Sequence, residues 1–399
     1  MESLESALAL LMERVHPVER TEYAPLHALL GRVAAEDVAA HMQVPPFDRS
    51  PLDGYALRGA DIAGASRECP ARLRVIGEAC AGCGERFAPG PGEALRVRTG
   101  APVPAGCDCV VRQEDTDLGM DRVEVYAAVP AGRNVCRAGE DVRLGDVLLH
   151  RGERITSAHI GVLASLGITG AKVYAPVRAA LLCTGDELCQ PGEELPFGKI
   201  YDANRAVLSA RLSELGVSLA SPDSAQDDPE TVAQALRKAA EHCDVLLTTG
   251  GVSVGKKDIF HQVLPLLGAE RLFWKVAMKP GSPLLCGVYE GKLLICLSGN
   301  PFAALACFEV FAVPVLRRLA GETQAALRRA QGTLTGDFPK ESKGRRLIRA
   351  RMEGDRVTLT GANHSSGSLA TMIGCNCLID IPAGTGPLHT GDRVEVILL

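Results

Sequence analysis

Apolar and polar positions follow three successive rhythms along this chain. The first residues, Met1-Glu-Ser-Leu-Glu-Ser-Ala-Leu-Ala-Leu-Leu-Met12, carry apolar side chains at helical spacing. Ser3 stands where an N-cap accepts the first free amides, so a helix is expected over 3–15. Ala24, Leu26, Leu29, Leu30 and Val33 predict a second, shorter helix over 22–36. The prolines of Val44-Pro-Pro-Phe-Asp-Arg-Ser-Pro-Leu-Asp-Gly-Tyr-Ala-Leu57 forbid a helix, which leaves an ordered loop with Asp53 in a turn at its tip and a strand after it. Short alternating runs at 72–76, 94–98, 109–112 and 122–126 then predict a small β module. Residues 142–172 return to a strand and a helix, capped by Thr156 or Ser157 and ended by Gly167. They look like the partner of 22–42, which makes the β module an insertion.

At Val177 the grammar changes. Apolar strands at 177–183, 217–220, 243–249, 284–288 and 292–297 alternate with amphipathic helices, the last of them over 303–319. That alternation means a parallel, doubly wound sheet. Short β runs return at 345–352, 356–360, 378–381 and 393–398 and predict a C-terminal barrel. The expected fold class is multidomain α/β plus β. Its domains are 22–42 with 142–172, 43–141, 1–21 with 173–328, and 329–399.

Composition narrows the function. A net charge of −5 argues against a nucleic-acid surface, so an anionic ligand needs local cations, amides or metal. No apolar run approaches the roughly 20 residues of a membrane span. Acids among the first residues argue against a signal peptide, and a cytoplasmic protein is expected. The 14 cysteines are then expected as thiols. Cys80-Ala-Gly-Cys83 lacks a second pair for zinc, because Cys107-Asp-Cys109 has the wrong spacing.

The chemistry centres on Cys243-Asp-Val-Leu-Leu-Thr-Thr249, which breaks into Gly250-Gly251-Val-Ser253-Val-Gly255 and Lys256-Lys-Asp258 before a helix. Glycine amides ahead of a helix can hold an anion. Neither a P-loop nor G-x-G-x-x-G is present. In an open α/β sheet, ligands bind at the carboxyl ends of the strands. Those ends carry Gly185-Asp186-Glu187, Asp227-Asp228, Gly250-Gly251 with Asp258, Lys275, Lys279-Pro-Gly281 and Gly299-Asn300-Pro301. Each acid alone is as readily a cap or a solvated group. Together with the lysines they point to a phosphorylated or pyrophosphorylated ligand, Mg²⁺, and displacement at a phosphoanhydride.

Several stretches resemble the molybdopterin molybdenumtransferases, the MoeA/gephyrin E-domain family. They are Pro45-Pro-Phe-Asp-Arg-Ser-Pro-Leu-Asp-Gly-Tyr-Ala, Arg98-Thr-Gly-Ala-Pro-Val-Pro, Gly139-Glu-Asp, Thr184-Gly-Asp-Glu-Leu, Tyr201-Asp-Ala-Asn-Arg, Thr249-Gly-Gly-Val-Ser-Val-Gly-Lys-Lys-Asp, Lys279-Pro-Gly and Ser298-Gly-Asn-Pro, in the family's order. The resemblance implies an elongated four-domain homodimer whose clefts are completed by the partner subunit's β module. It implies insertion of molybdate into adenylylated molybdopterin, with Mg²⁺-dependent pyrophosphate cleavage and release of AMP. Carried over by motif, Glu187, Asp227 and Asp258 serve metal or substrate phosphate, and Lys275 and Lys279 hold phosphate and oxyanion charge. Asp53, Thr99 and Asp141 reach the cleft from the insertion side. Gly250, Gly251, Ser253, Gly281, Asn300 and Pro301 line the substrate, and Arg349 and Ser366 stand at positions associated with molybdate. A molybdopterin adenylyltransferase is the implied donor.

This chain departs from the family pattern at Ser282, Ser298, Ala303, Cys136 and His364. The first of these replaces a lysine near the oxyanion pocket and bears on molybdate against tungstate. The competing readings are a molybdopterin-binding scaffold without turnover, a tungsten-inserting paralogue, and an unrelated Mg²⁺-dependent nucleotidyl or phosphoryl transferase.

Overall fold

The computed structural model describes residues 1–82, 84–252, 259–361 and 363–399. At the centre of its α/β domain lies strand Val245–Thr249, every residue of which is buried. It pairs in parallel with Arg178–Thr184 on one side and Lys292–Leu297 on the other. A strand flanked this way has helices over both faces, and so its sequence is a continuous apolar run. The six-stranded sheet runs Ser218–Ala225, Arg178–Thr184, Val245–Thr249, Lys292–Leu297, Leu285–Tyr289, Glu270–Trp274.

Five of those strands run in one direction, and the sixth, Leu285–Tyr289, runs antiparallel to both its neighbours. The cause of this local departure is a two-residue hairpin. Glu290 and Gly291 sit at φ 49° and 74° and turn Tyr289 directly onto Lys292. A turn with both central residues at positive φ joins only antiparallel strands.

The sheet is wound outward from Arg178–Thr184 in both directions, which puts helices on opposite faces. Helix Ala203–Glu214 packs Leu208 and Leu212 on one face, together with Leu4 and Leu11 of helix Leu4–Glu13. Helices Pro229–Ala240 and Phe260–Leu267 pack Val232, Leu236, Phe260 and Val263 on the other. Three of these four helices are capped at their starts as the residue types dictate. The Ser6 amide donates to Ser3 Oγ at 3.0 Å, that of Arg205 to Asp202 at 2.9 Å, and that of Thr231 to Asp228 at 2.8 Å.

The helix expected over 303–319 begins at Pro301 and carries a π turn, Phe308–Ala312, between Pro301–Cys307 and Val313–Leu319. Glu309 of that turn is 5% exposed and takes the Arg211 guanidinium at 2.6 and 3.2 Å.

The helix expected over 22–36 is not formed. Thr21–Pro25 is a strand paired with Gly170–Tyr174, followed by a short 3₁₀ turn at Leu26–Ala28. Pairing takes the backbone groups a helix needs, and Gly31 at φ 76° interrupts the run. Ala24 and Leu29 join Leu149, Leu163 and Val173 in a small core instead. Val38–Ala39 likewise pairs with Val147–Leu149. Between these two halves a separate five-stranded sheet forms from Gly54–Leu57, Ala71–Ala79, Glu93–Val97, Cys109–Arg112 and Arg122–Val125.

At the C-terminus, Arg345–Glu353, Arg356–Leu359, Arg329–Leu334, Arg393–Leu398 and Cys377–Ile381 close into a barrel when the last pairs back onto the first. Closure leaves no edge among these strands. A further pairing joins barrel and α/β domain. Met278 and Lys279 add in parallel to Arg345 and Arg346.

Replacing Arg211 with Met strands the Glu309 carboxylate in the core. We expect a loss of about 3–5 kcal/mol in urea unfolding. The double change Arg211→Met, Glu309→Met removes both charges and should recover most of that loss.

Candidate functional site

Three parallel strands end within one cleft of about 650 Å³. Arg178–Thr184 delivers Glu187, Val245–Thr249 delivers Gly250 and Gly251, and Lys292–Leu297 delivers Asn300 and Pro301. Asp227 reaches the same cleft from the end of Ser218–Ala225. This is the switch point of the sheet, where the connections from adjacent strands leave toward opposite faces.

Glycine is required at the floor. Gly250 has φ +87°, and a Cβ there would lie 2.0 Å from the Thr184 carbonyl oxygen. The Gly250 Cα is in turn only 3.5 Å from where a Gly299 Cβ would stand. Two loops therefore cross backbone to backbone; the Thr184 contact admits only glycine at 250, while the contact at 299 is an ordinary van der Waals distance. The Asn204 amide donates to the Gly299 carbonyl at 2.8 Å and fixes the second loop, while its own Oδ1 stays buried and unpaired.

The cleft is acidic on one wall. The Asp227 amide donates to Asp186 Oδ1 at 3.3 Å, which brings the two side chains together. The Asp227 carboxyl is pushed above its usual value, first by burial and then by the charges of Asp186 and Glu187, against a hydrogen bond from Thr184. Its Oδ1 is buried with no partner. Among the described residues, no group of three His, Cys, Asp or Glu side chains could hold a metal ion. Asp258 and Ser253 lie outside the described residues.

A smaller cavity of about 350 Å³ shares Pro283, Ser298 and Asn300 with the cleft. Its character is opposite. Lys279, Arg346 and His364 line it with Gly281, Ser282 and Ser366, and none of its described lining residues is acidic. Four of the five departures from the family pattern, Ser282, Ser298, Ala303 and His364, are gathered around this one space. The Phe302 amide donates to the Ser366 carbonyl at 3.0 Å, tying the barrel loop to the helix that starts at Pro301.

Other residues singled out in the sequence stand elsewhere. Lys275 lines neither cavity. It sits at φ 72°, with its ammonium 3.9 Å from the centroid of the Trp274 ring. Arg349 is fully buried behind the smaller cavity. Asp53 and Thr99 meet on the inserted sheet, where the Thr99 amide and hydroxyl both donate to Asp53 Oδ1 at 2.8 Å. These bonds, then Arg98, hold the Asp53 carboxyl below its ordinary value. The Asp53 side chain therefore bonds across to another loop rather than closing a local turn. Asp141 is exposed nearby in sequence to Gly139, and none of Asp53, Thr99 or Asp141 lines either cavity. Arg346 and Asn204 were not among the residues the motifs marked. Asn204 lay inside a quoted motif, whereas Arg346 carried no local signal.

Fold and site together define a multidomain protein that places an acidic cleft beside a basic cavity at the switch point of a doubly wound sheet. The chain matches the MoeA N-terminal region (domain I and II) over residues 2–167, a probable molybdopterin binding domain over 180–318, and the MoeA C-terminal region (domain IV) over 331–399. It is 36% identical over 387 residues to the molybdopterin molybdenumtransferase of Bacillus subtilis (strain 168), covering 95% of this chain and 90% of that one. It is 34% identical over 377 residues to that of Staphylococcus aureus (strain COL), covering 94% and 90%. The crystal structure of a molybdopterin biosynthesis moeA protein from Pyrococcus horikoshii OT3 superposes with a TM-score of 0.86 at 29% identity, covering 100% of both chains. A second structure from that organism gives 0.83 at 32%, covering 99% of this chain and 98% of that one. The chain belongs to the molybdopterin molybdenumtransferase family, enzymes of molybdenum cofactor biosynthesis. No helix among its described residues is long and apolar enough to cross a membrane.

The raised Asp227 pKa has a testable sign. A carboxyl whose folded pKa lies above its unfolded value contributes stability below that unfolded value and loses it as pH rises through the folded one. At neutral pH the ionised Asp227 therefore opposes folding. Asp227→Asn should leave the melting temperature unchanged or raise it at pH 7, and narrow the gain that wild type shows as pH falls toward the ordinary aspartate value of 3.8. A clear drop at pH 7 would show that Asp227 supports the fold.

Proposed function

We propose that the cleft takes adenylylated molybdopterin and the adjoining cavity takes molybdate, and that the enzyme joins the two. The observation that carries this reading is the shared wall of Pro283, Ser298 and Asn300 between an acidic space of about 650 Å³ and a basic one of about 350 Å³. One suits a phosphorylated ligand with a divalent cation. The other suits a small oxyanion that must be delivered beside it.

Glu187, Asp227 and Asp258 are the residues we assign to Mg²⁺. The donor set fits a hard cation, because Glu187 and Asp227 line the cleft and the Asp227 Oδ1 is buried without a partner. When bound, the metal supplies neutralisation of phosphate charge. The glycine loop at Gly250 and Gly251, with Ser253, lets the protein backbone approach the substrate closely. Asn300 and Pro301 hold the pterin side against the shared wall. Lys279 and Ser366 face the oxyanion, with Gly281 keeping the Lys279 loop tight over Cys307, whose Sγ would lie 2.2 Å from a Cβ at Gly281. Lys275 stands at the same sheet edge and reaches phosphate by leaving the Trp274 ring. Water attacks the anhydride between the two phosphates, which releases AMP and leaves molybdopterin its own phosphate, and molybdate exchanges one oxo ligand for the two dithiolene sulfurs, the oxygen leaving with the two thiol protons as water.

Asp53, Thr99 and Asp141 act, in this reading, from the inserted module of a second copy, so the working unit is a homodimer. The protein works in the cytoplasm, with a molybdopterin adenylyltransferase handing over the adenylylated substrate.

The test is AMP release from adenylylated molybdopterin with Mg²⁺, with and without molybdate, and again with tungstate. Molybdate-dependent release is expected. Tight binding without release identifies a scaffold, and preference for tungstate identifies a tungsten-inserting enzyme. Asp258→Ala should fold normally and lose at least 100-fold in metal-stimulated release; normal turnover removes Asp258 from this role.

A further inference from the structure

The chain holds a single tryptophan, Trp274, and the ammonium of Lys275 lies on it, 3.9 Å from the ring centroid. Consecutive residues of a regular strand point to opposite faces of the sheet. Phe273 and Trp274 obey this rule. The first joins the core that includes Leu4 and Leu11, and the second packs against the core that includes Phe260 and Val263. Lys275 would then return to the Phe273 face. Its φ of 72° turns it back instead, so that two neighbours in sequence stack on one side. A lysine in this left-handed region is uncommon and persists only where its surroundings fix it. Here they do. Its amide donates to the Leu284 carbonyl at 2.9 Å, and its carbonyl accepts from the Glu2 amide at 3.0 Å.

The ring is itself held. The His261 ring meets it edge-on, with 4.3 Å between centroids and 88° between planes. His261 belongs to the first turn of helix Phe260–Leu267, which follows the glycine loop in sequence. The indole Nε1 is buried with no hydrogen-bond partner among the described residues, so packing sets the place of the ring. Glu270–Trp274 runs in the same direction as Lys292–Leu297 and lies two strands away from it. That separation is about 10 Å. Lys275 therefore stands at the edge where the cleft opens, and its side chain and a phosphate together span the gap.

We propose that Trp274 is a positioning residue for Lys275: its ring is the seat on which the ammonium rests until a substrate phosphate draws it away, and to which it returns as product leaves. The assignment rests on the phosphate role given to Lys275 above. A charge-assisted hydrogen bond to phosphate is stronger than a cation–π contact on a partly exposed ring, so the exchange favours the ligand. The seat still opposes binding. It stabilises only the unliganded arrangement, and a ligand that must take the lysine from it binds more weakly the more firmly the lysine is seated. Its use is to loosen the hold on phosphate once the anhydride is cleaved and AMP must depart.

The experiment uses the full chain, pyrophosphate with Mg²⁺ as the probe, and two readouts: the emission of the one tryptophan and titration calorimetry. Wild-type emission should change as pyrophosphate saturates. Lys275→Met should resemble the liganded wild type before any ligand is added and show no further change. Trp274→Leu should bind pyrophosphate about threefold more tightly than wild type, the factor expected from a cation–π contact at a partly exposed site. Trp274→Phe keeps a ring and should fall between the two. In the Lys275→Met background, Trp274→Leu should leave the affinity unchanged. The emission arms need no change at Trp274, so they decide the matter even where Trp274→Leu does not fold. The same emission change in Lys275→Met overturns the proposal, since the ligand then acts on the ring directly. So does an unchanged wild-type emission when calorimetry shows binding, or a Trp274→Leu effect that persists without Lys275, since the ring then acts through packing. Pyrophosphate that does not bind removes the phosphate site and this inference with it. Normal molybdate-dependent AMP release beside any of these results spares the functional reading. The full emission and affinity pattern without AMP release does the reverse.

Discussion

The backbone pairing of Met278 and Lys279 with Arg345 and Arg346 is the contact on which the site depends. It is only two residues long, yet it sets a loop of the α/β domain beside strand Arg345–Glu353 of a separate barrel. Without it Lys279 and Arg346 belong to different domains and share no space. A second contact, from the Phe302 amide to the Ser366 carbonyl, fixes the other side of the same junction. Hydrogen bonds of this kind are worth about 1 kcal/mol each, so position rather than strength is what they contribute. The strength comes from the cores of the two domains, while Arg345, held within the barrel by Asp380, reaches across the junction to the exposed Glu5.

Like charges are gathered on each side of the shared wall. Asp186, Glu187 and Asp227 crowd one side, and burial first, then this crowding, raises the Asp227 pKa. Lys279 and Arg346 crowd the other, beside a histidine whose pKa is driven down. Stability would favour mixing these charges. Keeping them apart leaves each space ready for a ligand of its own: a cation on one side and an anion on the other. Groups held in such unfavourable surroundings often mark functional sites.

Much of the fold was legible in local pattern. The α/β strands read as apolar runs because parallel neighbours and helices bury both faces, and Ser3 announced a helix start by residue type alone. The error over 22–36 is equally physical. Leu26, Leu29, Leu30 and Val33 have helical spacing, but Ala24 and Leu29 pack into a core supplied by residues more than a hundred positions later. Within the site, Glu187, Asp227 and Gly250 were readable because each follows a strand end. Asp53 was readable as pinned, though its partner Thr99 is not a sequence neighbour.

By itself the sequence determined which residue types stand at the carboxyl ends of the strands, and its motifs already carried the family. That follows because strand, turn and helix signals are local. Only the tertiary structure separated Arg346 from Arg349, three residues apart on one strand, placing the first on the cavity and the second behind its loop. The same holds for Lys275 and Lys279, of which only the second lines the cavity. Which member of such a pair meets ligand depends on what packs against each side chain, and those neighbours come from distant parts of the chain.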